Sequence, residues 1–199
     1  MHGANGYLIE QFLQDSTNIR TDRYGGSIQN RVRLLTETVD ALIDLWGAPR
    51  VGVRLSPFSN VNDANETDPL SLYREAIGIL SSRHIAYLHL IEPRVNAGLI
   101  EDQNLKAPSS VAALFRQSFG GALITSGGFS RESADSLIRA GIADAIAFGR
   151  AFIANPDLPH RFAIGAPLNP YDRSTFYGGS EKGYIDYPTL AEQVVTGGI

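Results

Sequence analysis

The chain has 199 residues, of which 43% are hydrophobic and 19% are charged, a composition typical of a globular protein with one substantial core. Its formal net charge of −4 argues against a nucleic-acid partner held by general electrostatics. The absence of cysteine excludes disulfides, thiolate nucleophiles and cysteine-based metal sites, and a reducing cytoplasm is the default compartment.

The apolar runs are short, and most are bounded by glycine, proline or serine. None approaches the roughly 20 residues that a membrane span requires, so we expect no membrane partner. Runs of this length that are rich in β-branched or aromatic residues are typical of buried strands. In chain order the predicted strands are Val51–Leu55, Ile85–Ile91, Ala122–Thr125 and Ala143–Phe148.

Stretches with helical periodicity lie between these strands. Asp68 is a candidate N-cap, and Pro69 follows it at the first helical position. The predicted helices are Asn30–Trp46, Pro69–Leu80, Ser109–Phe119 and Ser130–Ala140. From about Pro167 onward the sequence is rich in Tyr, Gly, Pro and Asp, which predicts an extended tail or lid.

Alternation of strands and helices predicts a parallel α/β sheet with right-handed crossovers. Both a (β/α) barrel and an open doubly wound sheet fit the strand spacing, although 199 residues are fewer than the roughly 250 of a complete (β/α)₈ barrel. In either architecture, functional residues collect at the C-terminal ends of the strands.

Two of these strand ends carry glycines. Gly127 and Gly128 follow the third predicted strand, and Gly149 with Arg150 follows the fourth. Backbone amides beside glycine can approach a phosphate closely, and the guanidinium adds a positive charge that can bind it bidentately. The pair of loops therefore predicts a phosphate site, while glycines that serve only tight turns remain the alternative.

Arg54 lies inside an otherwise apolar predicted strand. A buried cation needs a polar or anionic partner. Two interpretations stay open for it, a structural ion pair with a core carboxylate and a cation held beside an anionic ligand.

Three hydrogen-bonding side chains, His2, Asn5 and Tyr7, lie within six residues of one another. Taken alone, they are more typical of an inert, solvent-exposed histidine and of a tyrosine that packs in the core or on the surface than of catalytic groups. The sequence contains no Asp, Glu and His cluster with metal-ligand spacing, so we predict no metal site.

Blocks of sequence between residue 2 and about residue 190 form a pattern that closely resembles one family. The blocks are His2–Leu13, Asn18–Arg31, Val51–Pro57, Ala147–Arg150, Phe152–Leu158, Tyr171–Tyr177 and Gly183–Pro188. Together they resemble the Old Yellow Enzyme family of FMN-dependent ene-reductases.

The resemblance implies a fold and a reaction. The fold is the C-terminal half of a TIM (β/α)₈ barrel, with strands five to eight followed by a lid at residues 167–199, in a single partial domain of residues 1–199. The cofactor is FMN and the reductant is NADPH or NADH. The reaction passes a hydride from N5 of the reduced flavin to the β-carbon of an activated alkene, such as an enone, a maleimide or a nitroalkene.

The resemblance also implies roles for individual residues. His2 and Asn5 match positions that hydrogen-bond the substrate's carbonyl or nitro oxygen, and Tyr7 matches the residue that protonates the α-carbon. Arg54 matches the cation near the flavin N1–O2 edge. The remaining matches are Gly127, Gly128, Gly149 and Arg150 at the phosphate, Phe176 beside the flavin ring, and Tyr177 beside the ring and the substrate.

In the family, the position of His2 stands at the end of the fourth strand. We therefore expect this chain to act only when joined to an N-terminal half-barrel chain, as in a split or circularly permuted enzyme, with a homodimer of the assembled enzyme as a further expectation. Two alternatives are a catalytically silent half-barrel with a structural role and a phosphate-binding barrel enzyme without flavin, such as an isomerase or aldolase.

Overall fold

The computed structural model describes residues 1–93, 95–96, 99–100, 110–178 and 180–196. The chain divides into two compact units, Met1–Ala147 and Phe148–Ile199. The strands are β1 (His2–Gly3), β2 (Gly52–Leu55), β3 (Tyr87–Ile91), β4 (Val95–Asn96), β5 (Leu99–Ile100), β6 (Ala122–Ser126) and β7 (Ala145–Ala147). The helices are α1 (Leu8–Leu13), α2 (Ile28–Arg31), α3 (Arg33–Trp46), α4 (Pro69–Ser82), α5 (Val111–Phe115), α6 (Arg131–Arg139), α7 (Arg150–Ala154), α8 (Leu158–Ile164) and α9 (Leu190–Thr196).

A parallel sheet forms the centre of the N-terminal unit. Its strand order is β1-β2-β3-β6-β7, so each strand pairs with the next one along the main path of the chain, as in a segment of a (β/α) barrel. β4 and β5 form a separate antiparallel pair. The four predicted strands are confirmed to within two residues at each end, and β1 is an additional strand that periodicity did not reveal.

The core lies on one face of this sheet. Side chains alternate along a strand, and the aliphatic residues of β2, β3 and β6 that share this face are fully buried. They join one cluster with apolar residues of α3, α4 and α5. The opposite face carries the alternate residues, most of which are partly or largely accessible: Tyr87 on this face is 40% exposed, whereas Ile91 is buried.

The helix ends follow local capping chemistry. The Asp68 side chain accepts from the Ser71 backbone N–H, as its predicted N-cap role requires. α6 begins at a capping box in which Ser133, rather than an acidic residue, completes the reciprocal pair with Ser130.

Three predictions of secondary structure need correction. The helix predicted from Asn30 is divided at Val32 into α2 and α3. The helix predicted over Ser109–Phe119 ends as an α-helix at Phe115 and continues as a 3₁₀ turn through Ser118, while Ser109 lies outside the described residues. The C-terminal stretch, predicted as extended, contains the 3₁₀ turn Arg173–Thr175 and helix α9.

The C-terminal unit is organised around one buried arginine. Arg161 is 1% exposed, and its guanidinium donates to the Asp157 carboxylate, to the Pro167 and Pro188 carbonyls and to the Gln193 side chain. α8 is thereby joined to the segment that leads to α9. Within the described ranges of both units, no helix is long and apolar enough to cross a membrane.

A buried ion pair ties together loops of the N-terminal unit. The Arg31 and Glu66 side chains are only 6% and 3% exposed, and both guanidinium NH groups donate to the Glu66 carboxylate, over 2.6 and 3.0 Å. Arg31 also donates to the Leu13 and Gly26 carbonyls, and Glu66 accepts from the Asp15 N–H. The pair therefore joins the connection between α1 and α2 to the connection between β2 and α4.

We expect Glu66→Ala to lower the free energy of unfolding by about 3–5 kcal/mol, because it leaves the Arg31 cation buried without its partner. The measurement is urea unfolding followed by circular dichroism. Asp22→Ala is the matched control, since the Arg20–Asp22 pair is largely exposed and its loss should change stability little. Equal effects of the two substitutions would contradict this role for the buried pair.

Candidate functional site

The sheet face opposite the helices, called the open face below, carries a row of basic side chains. In the parallel register His2 pairs with Arg54, and Arg54 pairs with His89. Paired residues of adjacent strands point to the same face, so the three side chains lie next to each other. Ile124 and Ala145 continue the row across β6 and β7.

Arg54 is half-buried, and no described residue provides a counter-ion for it. Its Nε is buried without a hydrogen-bond partner, and within the described part of the chain no carboxylate pairs with its guanidinium. Burial lowers the pKa of this guanidinium. These observations disfavour the structural ion pair and leave Arg54 available to an anionic or polar ligand on the open face.

The surroundings of both histidines in the row disfavour the imidazolium form. Burial, reinforced by the Arg54 charge, lowers the pKa of His89 from 6.5 to about 4. Burial, the Arg54 charge and the charge of the N-terminus, in that order, lower the pKa of His2. A neutral imidazole still carries one N–H donor, so His2 can donate a hydrogen bond at neutral pH.

His89 is a site residue that sequence reasoning missed. Its Nε2 lies 2.9 Å from the Ser126 hydroxyl at the end of β6. The available signal was the one that drew attention to Arg54, a polar residue at an alternate position in an apolar strand.

Tyr7 stands beside His2. The two ring centres are 5.2 Å apart at an interplanar angle of 51°, and Tyr7 is 56% exposed. The side chains of His2, Asn5 and Tyr7 make no hydrogen bond to any described residue. The structure thus brings His2 and Tyr7 together and leaves all three groups free to contact a ligand.

The turn between them is conformationally demanding. Asn5 and Gly6 both have positive φ, of 57° and 70°. A Cβ at Gly6 would lie 2.5 Å from the Val61 carbonyl oxygen, so only glycine fits there. The Asn5 N–H donates to the Ser56 hydroxyl over 2.8 Å, and the Asn62 amide donates to the Asn5 carbonyl over 2.9 Å.

The glycines of the predicted phosphate site belong to different units. In the N-terminal unit, Gly127 has a φ of 123°, and a Cβ there would lie 3.0 Å from the Glu92 carbonyl oxygen, while Gly128 is exposed. In the C-terminal unit, Gly149 precedes α7, and nothing lies within 4 Å of the place its Cβ would take. The joint phosphate site stays a prediction.

The aromatic residues assigned to the flavin and the substrate lie in the C-terminal unit. The Phe176 ring is 5.5 Å from the Tyr171 ring and 6.5 Å from the Tyr177 ring, centre to centre. Tyr177 is 91% exposed, and the Arg150 guanidinium lies 5.7 Å from the centre of the Tyr171 ring. Their assigned roles also stay predictions.

Metal binding finds no support in the part of the chain that the structure describes. No group of three or more His, Asp or Glu side chains is placed there to hold an ion.

Comparisons with known proteins agree on one family. Residues 1–169 match the NADH:flavin oxidoreductase / NADH oxidase family. The chain is 47% identical over 195 residues to putative 12-oxophytodienoate reductase 10 of Oryza sativa subsp. japonica, covering 97% of this chain and 62% of that protein.

Solved structures give the same result. A structure of morphinone reductase in complex with tetrahydroNAD is 46% identical, with a TM-score of 0.86 over 95% of this chain and 49% of that one. The old yellow enzyme from Trypanosoma cruzi is 36% identical, with a TM-score of 0.86 over 95% of this chain and 48% of that one. The chain therefore spans about half the length of these solved relatives.

We expect Arg54→Met to raise the pKa of His89 and of His2, because a nearby positive charge disfavours the imidazolium form. The pKa of His89 should stay below its ordinary value, since burial is the larger cause. The measurement is titration of the ring nitrogens by long-range ¹H–¹⁵N NMR. Arg50→Met removes an exposed cation and serves as the control; unchanged His89 titration in Arg54→Met would contradict the coupling.

Proposed function

The chain belongs to the NADH:flavin oxidoreductase / NADH oxidase family, which includes the old yellow enzymes, and from this premise we propose that it forms the C-terminal half of an FMN-dependent ene-reductase. The proposed substrates are activated alkenes such as enones, maleimides and nitroalkenes. The observation that carries the proposal is the row of His2, Arg54 and His89 on the open sheet face, with the unpartnered side chains of Asn5 and Tyr7 beside it.

The cofactors of the family are FMN and NAD(P)H, and the residues present here fit a flavin. The buried Nε of Arg54 needs an acceptor, which the polar N1–O2 edge of an isoalloxazine ring would supply. Gly149 leaves its backbone open to a phosphate. When bound, FMN supplies the hydride for the β-carbon of the alkene.

His2 and Asn5 are proposed to bind the substrate's carbonyl or nitro oxygen. Both side chains can donate a hydrogen bond, and the lowered pKa of His2 favours the neutral imidazole, which still carries one N–H donor. Donors aimed at this oxygen stabilise the negative charge that develops on it when the β-carbon is reduced.

Tyr7 is proposed to donate the proton that the α-carbon receives. Its hydroxyl has no partner among the described residues, and its ring lies 5.2 Å from that of His2. A proton donor next to the residue that binds the oxygen can reach the adjacent carbon of the same small substrate.

The remaining assignments follow the family pattern. Gly127, Gly128, Gly149 and Arg150 are proposed to hold the FMN phosphate, since glycine backbone and guanidinium both suit an anion. Phe176 is proposed to lie beside the flavin ring, and Tyr177 beside the ring and the substrate.

The rest of the barrel is proposed to complete the site. In the described sheet, β1 and β7 each pair with a single strand, which leaves two open edges, and one sheet face is uncovered. The other half-barrel, on the same or a second polypeptide, would close both edges and cover that face. Residues 167–199 are proposed as the lid of this single domain, and a homodimer as the final assembly.

The test of the proposal is a visible absorbance spectrum of the purified protein, recorded with and without a co-expressed N-terminal half-barrel. We expect a flavin band with the complement, together with NADPH-dependent reduction of cyclohexenone. A complemented assembly without flavin would contradict the ene-reductase proposal and favour a structural half-barrel.

Within the assembled protein, we expect Tyr7→Phe to lower kcat for cyclohexenone by roughly 10²- to 10⁴-fold, the usual contribution of a positioned general acid. Flavin content should not change, because Tyr7 is not assigned to the cofactor. Tyr184→Phe removes the hydroxyl of a tyrosine that is 83% exposed and should leave kcat unchanged. Steady-state kinetics at saturating NADPH measures both, and equal kcat values for the two variants would remove Tyr7 from the role of proton donor.

A further inference from the structure

A fully buried carboxylate lies directly behind the turn that carries Asn5 and Tyr7. Glu10 on α1 is 0% exposed. Its Oε2 accepts from the Gly6 N–H over 2.6 Å, and its Oε1 accepts from the Ser56 hydroxyl over 2.6 Å and from the Tyr73 hydroxyl over 2.7 Å. The donors come from the turn, the end of β2 and α4.

This carboxylate reaches the turn by two routes. The first is its direct bond to the Gly6 N–H. The second passes through Ser56, whose hydroxyl donates to Glu10 and accepts from the Asn5 N–H over 2.8 Å. The backbone N–H groups of both positive-φ residues are therefore fixed by Glu10, directly or through one hydroxyl.

The turn needs such support. Two consecutive residues in the left-handed region, one of them asparagine, persist only where surrounding contacts determine their conformation. Gln11 and Asn62 contribute by donating to the Gly6 and Asn5 carbonyls. The backbone of the turn is thus bound on every side, while the side chains of Asn5 and Tyr7 remain free.

A carboxylate fits this place better than a neutral group. All three neighbours are donors, and an ionised carboxylate has only acceptors to offer. A glutamine in its place has one acceptor oxygen, which leaves either the Gly6 N–H or the two hydroxyl protons without a partner. Burial raises the pKa of Glu10 and so disfavours the ionised carboxylate, whereas hydrogen bonds from Ser56, Gly6, Tyr73 and Gln14 favour it.

We propose that Glu10 is a positioning residue, whose carboxylate holds the Asn5–Gly6 turn in the conformation that presents Asn5 and Tyr7 to the substrate. This inference rests on the ene-reductase function proposed above. It concerns the residues behind the site, and Glu10 itself touches neither substrate nor cofactor.

The test compares two electron acceptors on one protein, the flavin-loaded assembly with the complete barrel, reduced with dithionite. Cyclohexenone needs the oxygen donors and the proton donor of the turn. Ferricyanide takes electrons one at a time and needs neither. A merely structural defect, such as lost flavin or a misfolded barrel, would slow transfer to both acceptors.

For Glu10→Gln we expect re-oxidation by cyclohexenone to slow by roughly 100-fold, the scale for a catalytic group misplaced by about 1 Å, with re-oxidation by ferricyanide unchanged. Ser56→Ala breaks only the second route, so it should slow the cyclohexenone reaction less, and it remains informative if Glu10→Gln does not fold. Glu75→Gln makes the same chemical change at an exposed position on α4 and should match the unmodified protein with both acceptors.

Two outcomes overturn the inference while leaving the proposed function intact. One is a Glu10→Gln protein that cyclohexenone re-oxidises at the unmodified rate, and the other is equal slowing with both acceptors. If the unmodified, flavin-loaded assembly is not re-oxidised by cyclohexenone at all, the proposed function fails and the role of Glu10 fails with it.

Discussion

Because the parallel sheet is pleated, the side chains that pack in the core and the side chains of the candidate site lie on opposite faces. Successive side chains of a strand point to opposite faces, so the leucines and valines of β2 and β3 lie under the helices. Arg54 and His89 occupy the alternate positions and therefore face away from the core. Because parallel register aligns neighbouring strands, the same alternation brings His2 into line with them. A shift of one residue in any strand would bury the polar row and expose the aliphatic one.

Three buried carboxyl groups hold the first connections of the sheet in place. Glu10 follows β1, Glu66 lies between β2 and α4, and Glu92 comes directly after β3. Glu92 is 0% exposed and accepts from the Val111 and Ala112 N–H groups at the start of α5 and from the Thr125 hydroxyl. Each carboxylate satisfies backbone donors that a loop would otherwise leave unpaired. The connections on the side where a barrel keeps its functional groups are thus fixed by buried carboxyl groups as well as by apolar contacts.

These two features explain how the fold and the site depend on each other. The helix-covered face supplies the hydrophobic stability, and the ionic contacts fix the loops, so the polar row and the turn after β1 can keep unpartnered side chains. A parallel α/β sheet of this kind serves many chemistries, so the fold alone does not identify the reaction. The family match and the groups left free on the open face carry the functional proposal.

The sequence by itself determined the four main strands, helices α4 and α6, the N-cap at Asp68 and the family, because these depend on local periodicity, capping chemistry and motif. It singled out Arg54 as a cation that needs a partner and left open an ion pair or a ligand; no carboxylate among the described residues pairs with it, which disfavours the ion pair. The break at Val32, the two-residue strand β1 and helix α9 have no distinct local signal. Only the tertiary structure decided that His89 stands beside Arg54 and that Glu10 supports the Asn5–Gly6 turn. Both facts depend on residues that are far apart in the chain. Strand register brings Arg54 beside His89, and the packing of α1 and α4 brings Glu10 to Ser56 and Tyr73. No local sequence pattern records such contacts.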